Sequence, residues 1–130
     1  GLPAMLADVR KGIATLADTV DYWWEPSGPL GETDDYTRTL LEVSDRPIVF
    51  GTKLSSVQMG ALLHVTPNWE ASGRETAAMA LDILRGVDPG SMPVTPPETF
   101  RIGINLATAL ELGIVVPPDL IQLAGPHIYR

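Results

Sequence analysis

Pro47-Ile48-Val49-Phe50-Gly51 places apolar side chains at successive positions and closes on glycine. A strand with one wet face alternates polar with apolar. A run apolar at every position is buried on both faces, as in a parallel sheet covered by helices. The flanking segments fit that pattern. Leu2, Leu6, Val9, Ile13 and Leu16 recur at spacings of three and four, one stripe of an amphipathic helix. Val20-Asp21-Tyr22-Trp23-Trp24 is rich in strand formers, and Pro26-Ser27-Gly28-Pro29 breaks it into a loop. A helix is predicted from about 32 to 43 with acids near its positive end, a short one at Ser55–Met59, and a third strand over Ala61-Leu62-Leu63-His64-Val65.

Asn68 is placed to cap the following helix, predicted over 69–85, because its side-chain oxygen can accept a free backbone N–H. Gly73, Thr76, Ala77, Ala80, Leu81 and Leu84 form one face of that helix, and Gly86 suits its C-terminus. Residues 87–98 hold four prolines and one glycine, which reads as a stiff connector. Phe100-Arg101-Ile102-Gly103-Ile104 alternates, giving a strand with one wet face. Asn105 then caps a helix over 106–112, and Pro117-Pro118-Asp119 opens a last one ending near Ala124. Strands alternating with helices give an α/β fold, a mostly parallel sheet flanked by helices. A closed domain has little use for a proline-rich connector before its last strand; a chain passing between two lobes does.

Composition removes several functions. The net charge is −7, and residues 18–45 carry eight carboxylates against one base, Arg38. Such a surface repels phosphate backbones and excludes nucleic acid as a partner. There is no cysteine, hence no disulfide or thiolate metal site. No run approaches the roughly 20 apolar residues of a membrane span, and Gly1-Leu2-Pro3 carries no secretion signal. His64 and His127 are the only histidines and lack ligand-spaced companions, so no metal or cofactor is expected. His64 reads as structural and His127 as a surface residue. No phosphate loop or nucleophile elbow occurs, and Asp34-Asp35 reads as solvated acids at a helix start. What remains are the loops at strand C-termini, where open parallel sheets bind ligands: Glu25 to Gly28, Gly51 to Ser55, and Thr66 to Trp69. Turn and cap chemistry competes for each of these positions.

The order of motifs resembles the C-terminal part of the ABC-transporter substrate-binding family, whose members include tryptophan- and tyrosine-type binders. It is carried by Ala17-Asp18-Thr19-Val20-Asp21 with Pro26, by Arg46-Pro47-Ile48-Val49-Phe50 and by Met59-Gly60-Ala61-Leu62. Gly73-Arg74-Glu75 through Ile83-Leu84-Arg85-Gly86, Met92-Pro93-Val94, Phe100 through Leu106, and Leu112 through Pro118 complete it. The resemblance implies a type I periplasmic-binding fold in which two hinged lobes close on a ligand, with most of the first lobe missing here. It divides the chain into C-terminal-lobe β/α units (1–67), a crossover helix and connector to the other lobe (68–98), and a return strand with C-terminal helices (99–130).

It further implies a small-molecule solute, an amino acid or organic anion, a membrane ABC permease as partner, no catalysis, and a periplasmic or extracytoplasmic location. The ligand contacts it points to are Ser27, Gly28, Thr52, Lys53 and Asn68. Amino-acid binders of the family usually carry aspartates in the first two of these loops, where this chain has Gly28 and Lys53; a lysine repels an ammonium and attracts an anion. An orphaned 69–85 helix would expose its Gly73/Ala77/Ala80/Leu81 face and seek a partner, so a homodimer is expected. A sensory domain of a membrane receptor shares this fold, and a transmembrane segment or kinase in the parent gene would mark it. A small α/β enzyme is the different-class reading, and it needs a catalytic group not evident here.

Overall fold

A computed structural model describes residues 1–130, which divide into two compact units, 1–66 with 102–130, and 67–101. The first unit opens with α1 (Leu2–Leu16), whose Pro3 lies in the first turn, where its missing N–H is no loss. A 3₁₀ turn at Ala17–Thr19 leads to β1 (Trp23–Glu25). Then follow α2 (Asp34–Val43), β2 (Ile48–Phe50), α3 (Ser55–Met59) and β3 (Leu63–Pro67). After the second unit the chain returns through β4 (Phe100–Asn105). It ends with helices at Leu106–Glu111 and Pro118–Ala124 and β5 (Ile128–Tyr129).

The five strands form one sheet in the order β1-β2-β3-β4-β5. β1 and β2 run parallel with Trp23 opposite Ile48 and Glu25 opposite Phe50; β2 and β3 are parallel with Val49 opposite Leu63, and β4 and β5 with Ile104 opposite Ile128. Parallel neighbours need crossovers, which α2 and α3 supply. The core fills the space between them: Ile13, Leu40, Ile48, Phe50 and Ala61 are buried together, with Val9, Trp23, Tyr36, Leu41 and Val43 packed around them. Phe50 is fully enclosed, as a strand apolar at every position requires.

On β4, a Cβ at Gly103 would collide with Leu54 Cδ1, so the glycine admits the residue just before α3. Asn105 does double duty. Its Oδ1 accepts the Thr108 N–H at 3.0 Å, capping the helix that follows, and its amide donates to the Val57 carbonyl at 2.9 Å.

In the second unit, α4 (Trp69–Leu84) is capped by Asn68, whose Oδ1 accepts the Ala71 N–H at 3.3 Å. The Asn68 N–H donates to the Thr99 carbonyl at 2.9 Å. Gly86 ends the helix with φ at 101°, a conformation disfavoured for side-chain-bearing residues. No residue of α4 is buried; Gly73, Ala77, Ala80, Leu81 and Leu84 all face solvent. A short 3₁₀ turn at Pro89–Ser91, capped by Asp88, is the only regular piece of the connector.

Four elements differ from the sequence reading. β3, expected over 61–65, runs over Leu63–Pro67 and takes in Thr66 and Pro67, which were expected in the loop after it. β1 begins at Trp23, because Val20 to Tyr22 belong to the exit from the 3₁₀ turn, and it includes Glu25. β4 does not alternate: Phe100 and Arg101 are exposed while Gly103, Ile104 and Asn105 are all buried, the strand passing from solvent into the sheet. The last strand, Ile128–Tyr129, has a two-residue signal too short for a period; it makes the neighbouring His127 half-buried. No helix is long and apolar enough to cross a membrane.

Candidate functional site

Parallel strands that leave a sheet at the same edge bring their following loops together. Here the loops after β1 and β2 meet through the backbone: the Gly51 N–H donates to the Glu25 carbonyl at 2.8 Å. The approach is close enough that a Cβ at Gly51 would lie 3.0 Å from that oxygen and 3.3 Å from the Ser27 nitrogen.

Beneath these loops lies a buried polar cluster. Glu25 is 5% exposed, and its Oε2 accepts the Thr52 hydroxyl at 2.9 Å. Gly31 covers the same carboxylate; a Cβ there would fall 2.1 Å from Glu25 Oε1 and 2.8 Å from Thr52 Cγ2. Burial, the largest influence, pushes the Glu25 carboxyl above the usual carboxylate range. The Thr52 hydroxyl and the Gly51 backbone act against that, Glu32 adds to it, and Lys53 opposes it. Burial and the Glu25 charge raise the Tyr36 phenol in turn.

Lys53 fastens the far end of the loop. Its Nζ donates to Asp34 Oδ1 at 2.6 Å and to the Glu32 carbonyl at 3.3 Å. The hydrogen bond and charge of Lys53 hold the Asp34 carboxyl below its usual range. Thr33 caps α2 by accepting the Tyr36 N–H, while its own hydroxyl donates to the Leu30 carbonyl. The 26–33 loop is therefore pinned at Gly51, Glu25, Lys53 and the start of α2.

Of the ligand contacts expected from sequence, Thr52 and Lys53 belong to this cluster and the Ser27 nitrogen lies beside Gly51; Ser27 is exposed, and Gly28, half-buried in the same loop, neighbours only the Pro26 carbonyl. Asn68 belongs to the second unit as the cap of α4. His64 is 2% exposed within β3. No group of three or more His, Cys, Asp or Glu is placed to hold a metal ion.

The chemistry open to these side chains follows from what they already bind. Thr52 has one proton and directs it at Glu25, so toward a ligand it can only accept. Lys53 has three N–H donors, two of them engaged within the chain, and one left over. The sequence reading missed three parts of this: the Glu25–Thr52 bond, the Gly31 cover and the Lys53–Asp34 tie. A glutamate directly after strand-forming aromatics was a usable signal for the first. Nothing local to Gly31 or Asp34 announced the others, since each depends on a contact across the fold.

Comparison with solved structures shows the same architecture. The ABC domain in complex with L-Trp from Streptococcus pneumonia is 24% identical with a TM-score of 0.65, covering 96% of this chain and 42% of that one. A conserved domain protein from Vibrio cholerae gives 21% and 0.63, over 96% and 42%. The ligand-free, open structure of a substrate binding protein with adhesive properties from Clostridium difficile gives 24% and 0.63, over 95% and 40%. At these identities the likeness is one of fold, and the chain spans about two fifths of the length of those proteins. No curated protein matches it. The family model described as ABC transporter substrate binding protein, however, matches residues 39–128. That span, well over half the sequence, takes in β2 through the last helix, and the chain therefore belongs to the ABC transporter substrate-binding protein family.

Proposed function

We propose that this chain is part of a solute-binding protein that captures a small molecule between two hinged lobes and delivers it to an ABC permease. The observation that carries the reading is the pinned pair of loops at the C-terminal edge of β1 and β2. They are joined by the Gly51–Glu25 backbone bond and braced by Thr52 on Glu25 and Lys53 on Asp34. A ligand site needs groups already held in place, because ordering them on binding would consume affinity. Ser27, Gly28, Thr52 and Lys53 are the proposed contacts from these loops, and Asn68 is proposed independently of them.

The family is one of binding proteins and not an enzyme class. We infer no catalysis, and a periplasmic or extracytoplasmic setting where such proteins meet their permeases. The solute is an amino acid or an organic anion. The tryptophan complex of the streptococcal protein is a reason to include aromatic amino acids among the candidates. The spare Lys53 donor is a reason to include carboxylates.

Titration calorimetry against a panel of both tests the reading. Heat from one member, weakened roughly tenfold by Lys53→Met, is the expected result, since a hydrogen bond to a charged group contributes about that much. Silence across the panel would remove solute capture by this cluster, and turnover of any member abolished by Lys53→Ala would replace it with an enzyme.

A further inference from the structure

In the first unit α2 and α3 run back from the loop edge of the sheet to the start of the next strand. At that opposite edge lies a groove of about 260 Å³. Its lining holds the C-caps of three helices: Ser44 for α2, Gly60 for α3 and Leu112 for the helix Leu106–Glu111. Each such end leaves carbonyl oxygens without intrahelical donors and carries partial negative charge. Arg46, just before β2, and Glu111 are the only formally charged side chains in the lining.

Arg46 is held at both its backbone and its side chain. Its N–H donates to Ser44 Oγ at 3.1 Å, and its carbonyl accepts the same hydroxyl at 3.2 Å. Its Nε donates to the Ala17 carbonyl at 3.3 Å. Asp45 Oδ1 stands 3.8 Å from that Nε, an exposed pair that water screens. The Nη1 and Nη2 donors have no partner in the chain. No ion pair takes up the Glu111 carboxylate either. The Thr108 hydroxyl gives its proton to the Gly60 carbonyl at 2.9 Å, and Ser44 gives its own to Arg46. Toward a ligand both hydroxyls can therefore only accept.

We propose that this groove is a second binding site, for a small zwitterion: a free amino acid with an aliphatic side chain. Its carboxylate sits on the terminal fork of Arg46, and its ammonium among Glu111, Thr108 and the helix-end carbonyls. The fork selects the anionic half, because two parallel N–H groups match the two oxygens of a carboxylate. The remaining polar side chains of the lining, Ser44, Thr108 and Glu111, are all acceptors and select a donor. A plain anion would satisfy Arg46 and be repelled by Glu111; a plain cation would meet the reverse. Leu41, Ile48 and Met59 supply an apolar wall for the aliphatic body. Clefts for drug-sized ligands hold about 300–1,000 Å³, so this one suits a single amino acid. None of its residues belongs to the loops proposed above for the solute, and the site stands whether or not that reading does.

The test uses L-leucine as probe on the 130-residue chain. Isocaproate, which lacks the ammonium, and isoamylamine, which lacks the carboxylate, are its counterparts of similar shape. Binding is followed by the amide signals of Gly60, Thr108 and Leu112 in nitrogen–proton correlation spectra, with those of Gly51 and Thr52 reporting the solute loops. Saturable movement of the first group with leucine is expected, and binding of either counterpart should be weaker by roughly tenfold.

Glu111 is exposed and bound to nothing in the chain, so Glu111→Gln spares the fold. It should weaken leucine roughly tenfold and leave isocaproate unchanged. Arg46→Lys, which keeps the charge and removes the fork, should weaken leucine and isocaproate and leave isoamylamine unchanged. Lys53→Met should leave all three unchanged at Gly60, which separates this site from the solute loops. No movement at Gly60, Thr108 and Leu112, an equal response to either counterpart, or movement there that Lys53→Met abolishes would each overturn the proposal.

Discussion

Replacing Gly31 with alanine tests how tightly the loop is built onto Glu25. Gly31 has no positive φ, so the new methyl meets no backbone strain, only occupied space. That space is filled by Glu25 Oε1 at 2.1 Å, Glu25 Cδ at 2.6 Å and Thr52 Cγ2 at 2.8 Å. Overpacking of this kind costs about 1–3 kcal/mol. Pushing the carboxylate aside also breaks its bond from Thr52, a charge-assisted bond contributing about 1.5–3 kcal/mol. The sum, about 2.5–6 kcal/mol, is a large fraction of the roughly 5–15 kcal/mol that keeps an ordinary domain folded. At roughly 4 °C per kcal/mol for this size, it predicts a fall in Tm of more than about 10 °C.

The paired control is Gly12→Ala, in the same unit. Gly12 sits inside α1 with nothing within 4 Å of its Cβ position, so the same methyl should stabilise by about 0.5–1 kcal/mol through helix propensity. Urea unfolding followed by circular dichroism measures both. A Gly31→Ala midpoint equal to that of the parent chain would refute the claim that this backbone seals the carboxylate.

Two further predictions concern charge and association. The Glu25 carboxyl is raised above 4.5 in the folded chain. The contribution it makes to stability is therefore complete below pH 4.5 and is lost as pH rises through its folded value. The Asp34 carboxyl is lowered from 3.8, so its contribution is present above that pH and is lost as pH falls through the folded value. Urea midpoints across pH should lose the first slope in Glu25→Gln and the second in Asp34→Asn. The exposed face of α4, with Leu81 51% and Leu84 83% accessible, should associate two copies. Light scattering should report a dimer that Leu81→Glu dissociates, and a monomer at every concentration would refute it.

Much of the fold was written in local patterns. The strand at Ile48–Phe50, the helix at Ser55–Met59 and the caps at Asn68 and Asn105 follow from spacing, side-chain chemistry and backbone donors within a few residues. The motif order likewise pointed to the family. The parts decided by tertiary structure are those whose partners lie far along the chain. Glu25 looked like a loop residue, and became a buried strand residue when Thr52, 27 positions away, met its carboxylate and Gly31 closed over it. Lys53 looked like a free cation for an anionic solute. Asp34, 19 residues back, uses part of that charge internally. A periodic pattern records which face is buried, but what a charged side chain offers to a ligand depends on which distant group already holds it, and only the folded chain brings those groups within a few ångströms.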